Sequence, residues 1–105
     1  MSLPERPQLR PHLAAVQDKN DPQYVFIWDK LGLGTRPQRV SLMEFVCLRL
    51  FDGQRNPHEI QTEAMQQAGG QLVLMETLTT LVRKMDEALF LEGPRFRERL
   101  SGPMR

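Results

Sequence analysis

The chain has 105 residues, 40% hydrophobic and 26% charged, which suits one small domain with its own core and excludes global disorder. Fourteen lysines and arginines stand against thirteen acidic residues, a formal net charge of +1. That balance excludes an overall electrostatic footprint for a nucleic-acid duplex and leaves only a local basic patch open. A single cysteine, Cys47, excludes an internal disulfide and suits a reducing, cytoplasmic setting. The first twenty residues hold no apolar signal-peptide core, and no run approaches the roughly 20 apolar residues of a membrane span.

Residues 1–8, rich in proline and polar groups, read as a flexible lead-in. "QLRPHLAAVQD" predicts a short strand near residues 12–16, and "KNDPQ" a turn. "YVFIWD", residues 24–29, is the strongest strand signal, with Tyr24, Phe26 and Trp28 on one side and Val25 and Ile27 on the other. Both faces are apolar, so both are expected to be covered, with Trp28 in the core rather than stacked on a ligand. "KLGLGTRP" is a loop, and its glycines do not form the dinucleotide fingerprint.

Arg39-Val40 reads as extended, and the period then switches. Ser41 stands three residues before Glu44, the spacing of a capping box, which predicts a helix from about Leu42 to Phe51 stopped by Gly53. Asn56, Pro57 and Glu59 predict the start of a second helix, whose apolar face is Ile60, Ala64, Met65 and Ala68 and whose end is Gly69-Gly70. A third helix is predicted over about Met75–Ala88, with Leu78, Leu81, Val82, Met85 and Leu89 as its stripe. "LFLEGPRF" then breaks, and residues 97–105 read as a charged tail or linker. The expected fold is α+β: a small winged-helix-like domain over residues 9–96, two or three N-terminal strands followed by a three-helix unit.

Chemistry is harder to find. His12, His58 and Cys47 fall at no zinc-like spacing, so no metal or cofactor is expected. Cys47, between Val46 and Leu48 in the most apolar helix, reads as a packed and inert thiol. Asp86 and Glu87 are adjacent, about 100° apart on a helix, and so do not converge as an acid/base pair but read as a solvated face. Asp52-Gly53-Gln54-Arg55 reads as a helix stop, with Arg55 anchoring the turn. No enzyme is expected. A winged-helix DNA-binding regulator is the alternative, but the candidate recognition helix carries Arg83 and Lys84 against Glu76, Asp86 and Glu87, a net −1 that suits a duplex poorly.

The order of strands first, a buried helix ending in "LFDGQRNPHEI", and a last helix followed by "ALFLEGPRF" is similar to the PqqD-like domain family, which includes the recognition elements for leader peptides. The shared positions are Ser41-Leu42, Asp52-Gly53, Arg55 and Glu59-Ile60. "WDKLGLG", "LFDGQR" and "MDEALFLEGPRF" resemble more closely the domain placed ahead of the Memo-like domain in bacterial AmmeMemoRadiSam-system proteins, over roughly residues 9–96. The resemblance implies a non-catalytic module that docks an extended peptide, or a neighbouring Memo-like domain on the same chain, by edge-strand addition. It places the edge at Gln38, Arg39 and Val40, and the facing helix surface at Thr77, Leu81, Lys84 and Ala88 or one step round. Pro37 donates no amide, so two or three residues remain for pairing. A homodimer through exposed apolar residues also stays open.

Overall fold

The computed structural model describes residues 4–33 and 36–101. The start of the expected lead-in, Gly34-Thr35 of the glycine loop and the last four residues of the expected tail lie outside the described residues. Three antiparallel strands come first: β1 (Leu13–Gln17), β2 (Tyr24–Asp29) and β3 (Gln38–Ser41), in the spatial order β1-β2-β3. Helices α1 (Leu42–Leu48), α2 (Pro57–Gln67), α3 (Met75–Glu87) and α4 (Pro94–Ser101) follow. The fold is α+β, with its strands leading and its helices following, in keeping with a winged-helix-like domain.

Alternation along β2 decides where the core sits. Val25 and Ile27 are buried beside Val40 of β3, which pairs with Val25, and α1 packs against this face. Leu48, Ile60, Leu78, Leu81, Met85 and Phe90 continue the core into the helices. Tyr24, Phe26 and Trp28 take the opposite face, where they are only half-buried and no described helix packs. Coverage of both faces is therefore not found. The aromatics are sheltered instead by cross-strand neighbours: Ala14 beside Trp28, Val16 beside Phe26, and the Arg39 guanidinium 3.7 Å over the Tyr24 ring.

The capping signals act as their spacing predicts. Ser41 Oγ accepts from the Glu44 amide at 3.1 Å, and the Glu44 carboxylate accepts from the Ser41 amide at 2.8 Å. Asn56 and Glu59 repeat the exchange at the start of α2, with Pro57 in the first turn. Helix α1 is shorter than expected, because Leu50 and Phe51 donate to Cys47 and Leu48 in tight i→i−3 bonds that end it. Helices α2 and α3 close alike. Gly70 donates to Met65 and Gly69 to Gln66, while Phe90 donates to Met85 and Leu89 to Asp86. The left-handed residue is Gly69 in the first case but Leu89, at φ 66°, in the second.

A buried arginine accounts for Leu89. Arg10 Nε donates to the Leu89 carbonyl at 2.6 Å, its Nη2 pairs with Asp29 at 2.6 Å, and its guanidinium lies 3.9 Å over the Phe96 ring. One side chain thus ties the start of β1, the end of β2, the end of α3 and α4. The end of the lead-in is equally fixed. Pro7 is buried and accepts from Gly53, Gln8 accepts from Glu92, and Leu9 donates to Phe51. The expected charged tail is helical as far as Ser101, so α4 runs through the boundary drawn at residue 97. Nor is Asp86 solvated: it is buried, and Arg95 of α4 donates to it at 3.0 Å.

Candidate functional site

The edge of β3 is set by hydrogen-bond parity. The Leu42 amide donates to the Gln23 carbonyl, so in this antiparallel register residues 38, 40 and 42 turn their main chain towards β2 and residues 37, 39 and 41 turn theirs outward. Gln38 and Val40 therefore have their backbone groups committed inside the sheet, and Val40 is buried. Arg39 alone presents both an amide and a carbonyl at the edge, since Pro37 has no amide and the Ser41 amide is held by Glu44. The Arg39 carbonyl accepts from Lys84 Nζ of α3 at 2.6 Å. The Arg39 guanidinium lies on the outer face, 3.5 Å from Asp18 and 3.8 Å from Asp21.

Beside this edge a narrow cavity of about 160 Å³ opens between α1 and α3. Its floor is Cys47, Leu78 and Leu81, and Thr77 stands exposed at its rim. Glu44, which caps α1, lines it next to the β3 edge. The segment before α3 supplies the lip: Val73 turns inward and is buried, while Leu72 and Leu74 are 70% and 55% exposed. Thr77, Leu81 and Lys84 thus lie along one side of α3, as rim, floor and bar across the edge. Ala88 caps α3, is buried, and does not line the cavity. Met43, Glu44, Cys47, Leu72, Val73, Leu74 and Leu78 are the lining residues that sequence reasoning missed; the apolar run Leu72-Val73-Leu74 just before α3 is the signal that marks the lip.

A wider recess of about 560 Å³ lies on the opposite side of α3, against Met75, Thr79 and Val82, with Pro4, Glu5 and Arg6 and the start of α2 at Asn56, Pro57 and His58 as its other walls. It has no strand edge. The smaller cavity has the apolar floor and the exposed leucines, and Glu44, which lines it and holds the Ser41 amide, links it to the β3 edge.

Electrostatics give the groove little chemical reactivity. Burial pushes the Cys47 thiol up to about 11, with the Glu44 carboxylate adding to the rise and the residue's own backbone hydrogen bond opposing it. A thiol so placed is protonated at neutral pH. Asp52 is held below the usual carboxylate range, chiefly by the Gln54 amide and then by Arg55, whose guanidinium it pairs with. Gly53 sits at φ 77°, and a Cβ there would meet Gln8 Oε1 at 2.7 Å, so the Asp52–Arg55 stretch is an anchored turn. Among the described residues no group of three His, Cys, Asp or Glu side chains is placed to hold a metal ion, and no helix is long and apolar enough to cross a membrane. The exposed residues of α3 include Glu76 and Glu87 beside Arg83, which is not a positive face.

Comparison with protein-family models, with curated proteins and with solved structures gives no match to this chain.

Proposed function

We propose that this domain is a non-catalytic docking module, working in a reducing, cytoplasmic setting, that takes an extended peptide into the groove between β3 and α3. The observation that supports this reading is the conjunction of a single outward amide–carbonyl pair at Arg39 with an apolar cavity lipped by Leu72 and Leu74. Exposed leucines at the mouth of a cavity favour a partner over water. A guest strand would take the Arg39 amide and displace Lys84 from the carbonyl. It would send one aliphatic side chain towards Leu78 and Leu81. The freed ammonium of Lys84 would then be available to a guest carboxylate.

The edge offers few backbone bonds, so selectivity rests on the cavity. The resemblance to PqqD-like domains points to the same edge, and under it the guest is either a leader peptide or an extended segment of a Memo-like neighbour. A DNA-binding role has no comparable support, given the acidic residues on the exposed side of α3.

The test is selection from a displayed library of short peptides, followed by fluorescence anisotropy with the tightest of them. Binding that Thr77→Arg weakens at least tenfold, about 1.4 kcal/mol, supports the groove. Binding indifferent to Thr77→Arg and to Leu74→Glu would remove it.

A further inference from the structure

We infer that the free edge of β1 pairs with β1 of a second copy of this chain, joining two three-stranded sheets into one. Parity again sets the geometry. Asp18 donates to Tyr24 and Lys30 to His12, both at 2.9 Å, so the even-numbered residues of this stretch bond to β2 and Leu13, Ala15 and Gln17 turn their amides and carbonyls outward. None of those outward groups has a partner among the described residues. Ala15, Val16 and Gln17 are exposed, Val16 by 48%, and among the described helices and strands β1 packs against none except β2. The strand also lacks the usual protections, with no proline and no charge between Leu13 and Gln17.

The occupant follows from self-complementarity. An antiparallel pairing with its two-fold axis at Ala15 sets Ala15 against Ala15 of the second copy and Leu13 against Gln17, and each of these odd-numbered residues has its main chain turned outward on both copies. Between these pairs Ala14 meets Val16, which puts small apolar side chains at the closest approach. No charged residues face each other in that register, since Leu13–Gln17 carries none. The product is a continuous sheet in which Trp28 and Val16 of both copies share one outer face.

Size sets the strength. Five residues span about 17 Å. A stable dimer needs about 800 Å² per partner, more than one strand edge supplies, so the association is weak and reversible.

Sedimentation of the full chain from about 10 μM to about 1 mM tests this, a range chosen for weak affinity. The mass should rise with concentration towards the dimer. Ala15→Lys, which sets two ammonium groups beside each other on the axis, should weaken association at least tenfold while circular dichroism stays unchanged. If Ala15→Lys fails to fold, amide exchange of the unaltered chain decides: the Leu13, Ala15 and Gln17 amides should gain protection at high concentration, while those of Ala14 and Val16 stay as they were. A monomer at every concentration would overturn the proposal. So would a dimer that Ala15→Lys leaves intact, or one in which the odd-numbered amides gain nothing.

Discussion

The two edges of one small sheet are treated in opposite ways. On β3, proline removes one amide, Glu44 takes another, and Lys84 bars the Arg39 carbonyl between them. On β1, every outward amide and carbonyl from Leu13 to Gln17 is unpartnered among the described residues. The surroundings are reversed as well. The guarded edge is linked through Glu44 to an apolar cavity, and the bare edge packs against no described helix. An edge with bonds but no cavity recognises backbone, and so suits sheet extension. An edge with a cavity but few bonds recognises side chains, and so suits a selective guest. The difference also bears on solubility, since a bare edge beside a cavity would invite promiscuous pairing.

The largest blow to this contrast is loss of Arg10. Arg10→Met leaves Asp29 buried without its cation and should cost about 3–5 kcal/mol, removing both edges at once in a urea unfolding curve. A loss below about 1 kcal/mol would show that Arg10 does not hold the sheet to the helices. Next, Leu81→Ala should cost about 2–5 kcal/mol, because this residue is floor of the groove and core of the fold together. Thr77→Arg, at the rim, should stay within about 0.5 kcal/mol and block the cavity.

Alkaline pH separates the edges without a substitution. The folded-state pKa of Cys47 lies above its ordinary value, so its contribution is full below about pH 9 and is lost as pH rises through about 11. Cys47→Ala should flatten that part of a stability–pH profile. No residue of β1 titrates in the window. Ser41→Ala, which removes the acceptor of the Glu44 amide and so one half of the α1 capping box, should cost about 1 kcal/mol by thermal unfolding. The smallest effect is the most diagnostic. Lys84→Met should leave stability within about 0.5 kcal/mol and make the β3 edge more like that of β1, tightening an uncharged guest peptide about three- to tenfold in anisotropy.

Sequence legibility followed the range of the interactions. Ser41 with Glu44 and Asn56 with Glu59 are contacts within one turn, so their spacing announces them. The alternation of β2 and the stripe of α3 are equally local. Arg10 is the opposite case. Its partners Asp29 and Leu89 lie 19 and 79 residues away, and no pattern around Arg10 marks it as buried. Pro7 and Gln8 are fixed by single bonds to distant loops and therefore read as a loose lead-in. Helix α4 had a signal, since Gly93-Pro94 both ends one segment and places proline where a helix begins. The half-open aromatic face of β2 was hidden, because an apolar side chain sheltered by a cation and its cross-strand neighbours looks in sequence like one covered by a helix. For the groove, Thr77, Leu81 and Lys84 came from the family resemblance and not from any local pattern. The lip and the bar depend on how α1 and α3 approach each other, which no local pattern encodes.

The most direct test of side-chain recognition at the guarded edge is an NMR titration of the dilute, labelled chain with the tightest selected peptide. Amide shifts are expected at Arg39, Thr77 and Lys84 and along Leu72–Leu74, with Leu13, Ala15 and Gln17 unmoved. Shifts along β1 with Arg39 and the cavity silent would contradict recognition at the guarded edge.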